Sequence, residues 1–197
     1  DESDAIEAIN TAIDHGMTSI DTAPIYGFGK SEEIVGNVIK DKRDKVEILT
    51  KYGLRWDTNK GIFYFKSANS KNEEVSIHRY AGPESIIQEC EDSLKRLQTD
   101  YIDLYQIHWH DPTTPIDDTM EAIGKLKKDG KILAAGVSNY TSDQMKEADR
   151  ITDIVTNQVP YSMVLRDIEK DLVPYCLQTG KGILAYSPLQ RGVLTGK

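Results

Sequence analysis

Residues 17–36 read MTSIDTAPIYGFGKSEEIVG, and the parsing of this stretch decides the fold. MTSID (17–21) is short and strand-like. SEEIVGNVIK (31–40) has helical spacing, with Ser31 placed as a cap and acidic residues in the first turn. A strand that feeds a helix through a glycine-bearing turn is one β/α unit. Were the turn GxGxxG, it would be the dinucleotide fingerprint of an open, doubly wound sheet. YGFGKSEEIVG is not that motif: its glycines are wrongly spaced and an acidic pair follows them.

Working outward, the same alternation extends along the chain. A helix is expected over 3–15, with Ala5, Ile6, Ala8, Ile9 and Ala12 in helical spacing and His15-Gly16 as its stop. VEILTK (46–51), YIDLYQIH (101–108), KILAAGVSN (131–139), DIVTNQV (153–159) and GILAYS (182–187) read as strands. Helical patterns cover 83–98, 116–130, 141–150 and most of 167–180. Strands alternating with helices imply a parallel sheet covered by helices. The strands end in chemically capable residues: Asp21, Lys51, His108, Ser138-Asn139 and Gln158. In a closed barrel all strand C-termini converge on one mouth, where chemistry sits. The expectation is therefore an α/β fold, a (β/α)8 TIM barrel, with this chain as a single partial domain over 1–197. It supplies about six of the eight strands, the first and last being missing. The opening DESDAIEAIN reads as a helix already under way, so the natural protein is expected to be longer. Leu54 to Gly82 shows no periodic pattern and is expected to be a long irregular loop over the mouth.

Composition narrows the function classes. The chain has 197 residues, 39% hydrophobic and 28% charged, with a formal net charge of −8. Nucleic-acid binding without sequence preference rests on Lys and Arg neutralising phosphates, so an acidic chain is a poor candidate for it. No apolar run approaches the roughly 18 residues of a membrane span. Cys90 and Cys176 lack metal or redox spacing and are expected to be buried free thiols in a reducing compartment, the cytoplasm. The four histidines have no metal-ligand spacing, so no metal site is expected.

Taken in order, IDTAPIYGFGKSEEIVG (20–36), ILTKYG (48–53), DLYQIHW (103–109), GVSNY (136–140), NQVPYS (157–162) and AYSPLQRGVLTGK (185–197) resemble the successive strand-end motifs of the aldo-keto reductases. The resemblance runs through the chain apart from 54–82. Each motif is weak alone; their order across six units is specific. It implies a catalytic tetrad on Asp21, Tyr26, Lys51 and His108. It implies nicotinamide carboxamide contacts from Ser138, Asn139 and Gln158, and a stacking ring in Tyr186. Ser187, Leu189 and the turn at Arg191 would approach the pyrophosphate. The implied cofactor is NADP, with NAD still open because the adenosine-phosphate region of the family is not in this sequence. The implied partner is a small-molecule carbonyl substrate. In one familiar form of the first signature an acidic residue lies closer to Asp-Thr-Ala; here eight residues separate Ala23 from Glu32, which resembles another branch.

Physical chemistry selects the same four residues. Carbonyl reduction needs a hydride on carbon and a proton on oxygen. A tyrosine titrates near 10 and needs help to act as an acid at neutrality. Lys51, if about 4–6 Å away, is expected to lower the Tyr26 pKa. Asp21 would keep Lys51 charged in a closing pocket, and His108 would direct the substrate oxygen by hydrogen bonding. Trp109 is a candidate for the substrate wall, and Trp56 a weaker one. His15 and His110 read as surface or loop residues, and Tyr101, Tyr105, Tyr161 and Tyr175 as packing. Two other functions are compatible with parts of the pattern. One is a Schiff-base barrel aldolase using Lys51, which would not need the SNY, NQ and AYSPL motifs. The other is a non-catalytic nicotinamide-sensing regulatory subunit on the same fold.

Overall fold

The computed structural model of the protein describes residues 1–196. Helix α1 (Glu2–Asp14) starts on Asp1, whose side chain and that of Asp4 form a reciprocal capping box. Strand β1 (Ser19–Asp21) leads through the quoted turn into α2 (Lys30–Ile39), and β2 (Glu47–Tyr52) follows. Ser31 lies inside α2 and is not its cap. The helix begins at Gly29, whose φ of 98° is a left-handed conformation open to glycine.

After β2 the chain departs from the sequence reading. Residues 54–79 form a second, antiparallel sheet of β3 (Leu54–Arg55), β4 (Ile62–Ala68) and β5 (Glu74–Arg79), in the order β3-β5-β4. The expected irregular loop is a structured hairpin. The alternation then resumes with α3 (Pro83–Leu97), β6 (Ile102–Ile107), α4 (Ile116–Lys128), β7 (Ile132–Ser138), α5 (Ser142–Asp149), β8 (Ile154–Pro160), α6 (Leu172–Thr179) and β9 (Gly182–Tyr186).

The main sheet runs β1-β2-β6-β7-β8-β9, every pair parallel. Consecutive β/α units are therefore spatial neighbours throughout, and the order never reverses. A doubly wound sheet must contain such a reversal; the wall of a barrel does not. The chain is thus a run of six adjacent units of a (β/α)8 barrel. All six strands bring their C-terminal ends to the same side.

The central strands β2, β6 and β7 are largely apolar because both of their faces are mostly covered. Ile48, Tyr105, Ile107, Val137 and Ile154 are at most 1% exposed. α3 covers them with Ile86, Cys90, Leu94 and Leu97, all buried and spaced four, four and three apart, each contributing roughly 1.5–3 kcal/mol. Gly36 lets α2 and α3 meet: a Cβ there would stand 2.5 Å from the Arg96 carbonyl oxygen. Cys90 and Cys176 are buried free thiols, as expected. Among the described residues no helix is long and apolar enough to cross a membrane.

Candidate active site

Strand geometry alone brings the predicted residues together. In β2, Thr50 and Lys51 are adjacent and so face opposite sides of the sheet. Both are fully buried. Thr50 donates a hydrogen bond to Glu32 of α2 at 2.6 Å, and Glu32, with no exposed surface, also accepts from Arg96 of α3 at 2.7 Å. Lys51 turns the other way. Its ammonium donates to both Asp21 carboxylate oxygens at 2.8 Å and to the Thr22 carbonyl at 2.9 Å. Those three acceptors use all three ammonium hydrogens.

Tyr26 sits over this pair in the β1–α2 turn. The Lys51 nitrogen lies 5.4 Å from the centre of its ring. The imidazole of His108, one residue past β6, meets the Tyr26 ring edge-on at 5.8 Å. Asp21, Tyr26, Lys51, His108, Trp109, Ser138, Asn139, Gln158 and Tyr186 line one cleft of roughly 250 Å³ at the C-terminal ends of the strands. The remaining three residues of the sequence reading, Ser187, Leu189 and Arg191, follow β9 outside that cleft. Leu189 and Arg191 are exposed.

The electrostatics differ from expectation at one point. The Tyr26 hydroxyl is pushed above the ordinary tyrosine value, first by burial and then by the charge of Asp21 and the proximity of Tyr186. The lowering expected from Lys51 is not seen. Burial pulls Lys51 below the usual lysine value, and Asp21 opposes that pull. His108 is held down to about 3, mainly by burial and also by the Lys51 charge. It is neutral at physiological pH, with one ring N–H to donate.

Asn139 ties three strand ends. Its backbone is left-handed, with φ at 58°. Its backbone N–H donates to the Gln158 carbonyl at 3.0 Å. Its side-chain N–H donates to the His108 carbonyl at 3.1 Å, and its side-chain oxygen accepts from the Tyr186 hydroxyl at 2.9 Å. Ser138 Oγ, beside it, is buried with no hydrogen-bond partner in the protein.

Two contributors escaped the sequence reading. The Thr22 carbonyl completes the lysine's shell; the Asp-Thr pair was visible, but a main-chain role has no side-chain signature. Tyr64, from the hairpin, places its ring 5.6 Å from that of Trp109, and nothing in a stretch taken as loop could have singled it out. Trp56 does not reach the cleft. It packs on Phe28 and lines a separate crevice with Pro24 and Arg55. His110 lies in the loop after β6, as expected, half-buried against the Tyr140 ring.

The sequence model of the Aldo/keto reductase family matches residues 1–197. The chain belongs to this family. It is 45% identical to the aldo-keto reductase YhdN of Bacillus subtilis, over all of this chain and 55% of that relative. Among solved structures, it resembles the glycerol dehydrogenase of Gluconobacter oxydans with a TM-score of 0.87 and 43% identity, covering 98% of this chain and 55% of that one. The aldo/keto reductase of Klebsiella pneumoniae, solved in complex with NADP and acetate, superposes with a TM-score of 0.80 at 37% identity, covering 99% of this chain and 62% of that one. The chain therefore spans a little over half the length of the aldo-keto reductases it matches.

Proposed function

We propose that the protein reduces aldehydes or ketones to alcohols with NAD(P)H, and that Tyr26 supplies the proton. One observation carries the reading: a lysine held by Asp21 lies beneath the Tyr26 ring, with a neutral histidine beside it, in a cleft that also contains the orphaned Ser138 hydroxyl. Buried polar groups without partners are rare and expensive, so an unpaired Ser138 Oγ facing a cleft fits a polar ligand there. The Asn139 amide points the same way. Two of its four hydrogen-bonding positions are used internally, leaving one N–H and one lone pair, the complement of a carboxamide. These residues fit a nicotinamide. Ser138, Asn139 and Gln158 would hold its amide and Tyr186 its ring; Ser187, Leu189 and Arg191 would lie toward the pyrophosphate. When bound, the cofactor supplies the hydride.

Each protein group has a separate task in this reading. The neutral His108 donates to the substrate oxygen and fixes its direction. Tyr26 keeps its proton at neutrality because its pKa is raised. The alkoxide formed by hydride addition is a far stronger base, so transfer from the phenol remains downhill. Lys51, kept charged by Asp21, then stabilises the phenolate, against the opposing charge of Asp21 itself. An aldolase reading of Lys51 is disfavoured: a Schiff-base lysine needs a free, neutral amine, and here all three N–H bonds are committed.

The deciding experiment is Tyr26→Phe in the full-length protein, assayed with 4-nitrobenzaldehyde and NADPH. The expected loss in kcat is about 10²- to 10⁴-fold, with NADPH fluorescence titration unchanged. Full turnover with cofactor still bound would remove Tyr26 from the mechanism.

A further inference from the structure

The hairpin brings an arginine without a salt bridge to within two ring contacts of the cleft wall. β4 and β5 pair in register at Phe63 with His78 and again at Phe65 with Ile77, so Tyr64 is an extra residue without a partner. Such a bulge re-aims a side chain. Tyr64 is turned onto Trp109, and the Arg79 guanidinium lies 5.2 Å from the centre of the Tyr64 ring. Two stacked contacts therefore separate the cleft wall from this arginine.

Arg79 makes no salt bridge among the described residues, and its buried Nε has no acceptor. Arg79 is half-buried: its Nε is removed from water without an acceptor, while arginine carries five donors and no acceptor of its own. Asp111, which acts with Arg79 on His110, is engaged elsewhere. Asp111 receives the Ala81 and Thr113 backbone N–H groups and the Thr113 and Thr114 hydroxyls. Glu147 also acts on His110 but makes no salt bridge to Arg79 among the described residues. Arg79 also stands close enough to His110 to act on it: burial lowers that histidine most, Asp111 opposes, and the Arg79 charge lowers it further.

We propose that Arg79 is the second recognition point for substrate, receiving a carboxylate carried by the carbonyl compound at a distance from the reacting carbon. The favoured substrates are then aldehydes or ketones with an anionic group at the far end of a spacer that stacks along Trp109 and Tyr64. The inference rests on the carbonyl-reductase reading of the cleft and adds the substrate class to it. Charge pairing to a planar, partly desolvated guanidinium is among the stronger hydrogen-bonding arrangements, and Tyr64 holds the arginine in place by cation–π contact.

A matched pair of probes tests it. 4-Carboxybenzaldehyde and methyl 4-formylbenzoate share a ring and an aldehyde and differ in charge. In the full-length enzyme the acid should show a KM about tenfold below the ester's, as expected for one charge-assisted pair, and 0.5 M NaCl should shrink that gap. Arg79→Met should bring the KM ratio close to one, and Arg79→Lys should restore part of it. An acid that is no better than the ester in the wild-type enzyme overturns the proposal, whatever the variants do. So does a ratio that survives Arg79→Met in protein that still binds NADPH. Failure to reduce either aldehyde is a different result, and it counts against the reductase reading itself.

Discussion

The two sheets of this protein stand side by side but are stabilised differently. The central strands of the six-stranded parallel sheet are mostly covered on both faces, while β1 and β9 at its edges are half-exposed. Its strands are close to continuous apolar runs, and residues such as Ile48 and Ile154 have no exposed surface. The three-stranded hairpin sheet exposes much of one strand: Ile62, Phe63 and Phe65 are between 38% and 52% exposed, and Lys66 pairs with Glu74 in water. The parallel sheet carries the polar cluster at its strand ends. The hairpin contributes one aromatic ring and one arginine at the margin. In this chain the buried architecture holds the cluster proposed to carry the chemistry, and the exposed one lies at its margin.

The largest expected effect tests the first half of that contrast. Lys51→Met removes a charge at the end of a buried strand and leaves Asp21 without its partner. We expect about a 10³-fold loss of kcat with the far-ultraviolet circular dichroism retained; a loss below tenfold would separate the buried cluster from catalysis. Next in size is stability. Ile48→Ala should cost about 3–4 kcal/mol in urea unfolding, from lost burial and the cavity left behind. Phe63→Ala, on the exposed hairpin strand, should cost less than about 1 kcal/mol. Equal costs would mean that the hairpin is as integral to the core as β2.

The joint between the sheets gives a pH test. Glu89 of α3 is buried, accepts from the Gly53 backbone N–H at 3.0 Å at the end of β2, and pairs with Arg55 of β3 at 3.5 Å. Burial pushes its carboxyl up to about 7, against the pull of Arg55. Its folded value thus exceeds its unfolded one, so the native state binds the extra proton. Its contribution to stability is complete below about pH 4.5 and is lost as pH rises through about 7. Glu89→Gln should therefore gain relative to wild type between pH 5 and pH 8. A difference that stays flat across that range would mean Glu89 is not protonated at the joint. The smallest expected effect is at the hairpin tip: Asn72→Gly, where φ is already 61°, should shift stability by no more than about 0.5 kcal/mol.

Why one sheet was legible in the sequence and the other was not follows from the same contrast. Burial on both faces leaves apolar runs bounded by polar ends, so VEILTK, YIDLYQIH and DIVTNQV announced themselves, and their terminal residues pointed to the mouth. In β4 and β5 partial exposure mixes Phe, Tyr, Lys, Ser and Glu, and the bulge at Tyr64 breaks what alternation remains. Neither a period of two nor one of 3.6 survives. Within the cleft, residue types were readable but their ionisation was not. Whether Lys51 lowers the Tyr26 pKa depends on the balance between its charge, Asp21 and burial, and that balance is a matter of coordinates. The bond from Asn139 to Tyr186 was likewise beyond reach, because it joins two strands 47 residues apart.

The turn quoted at the start has one more property. It is clamped at both ends: Thr22 and Ser31 share a hydroxyl–hydroxyl bond of 2.8 Å, and Glu32 just beyond is bolted behind the sheet to Thr50 and Arg96. Tyr26 rides on a span whose two feet are fixed to different sides of the wall. Such a span behaves as a gauge block. In this chain, one residue inserted or deleted between Ala23 and Glu32 would shift the phenol relative to the rest of the cluster.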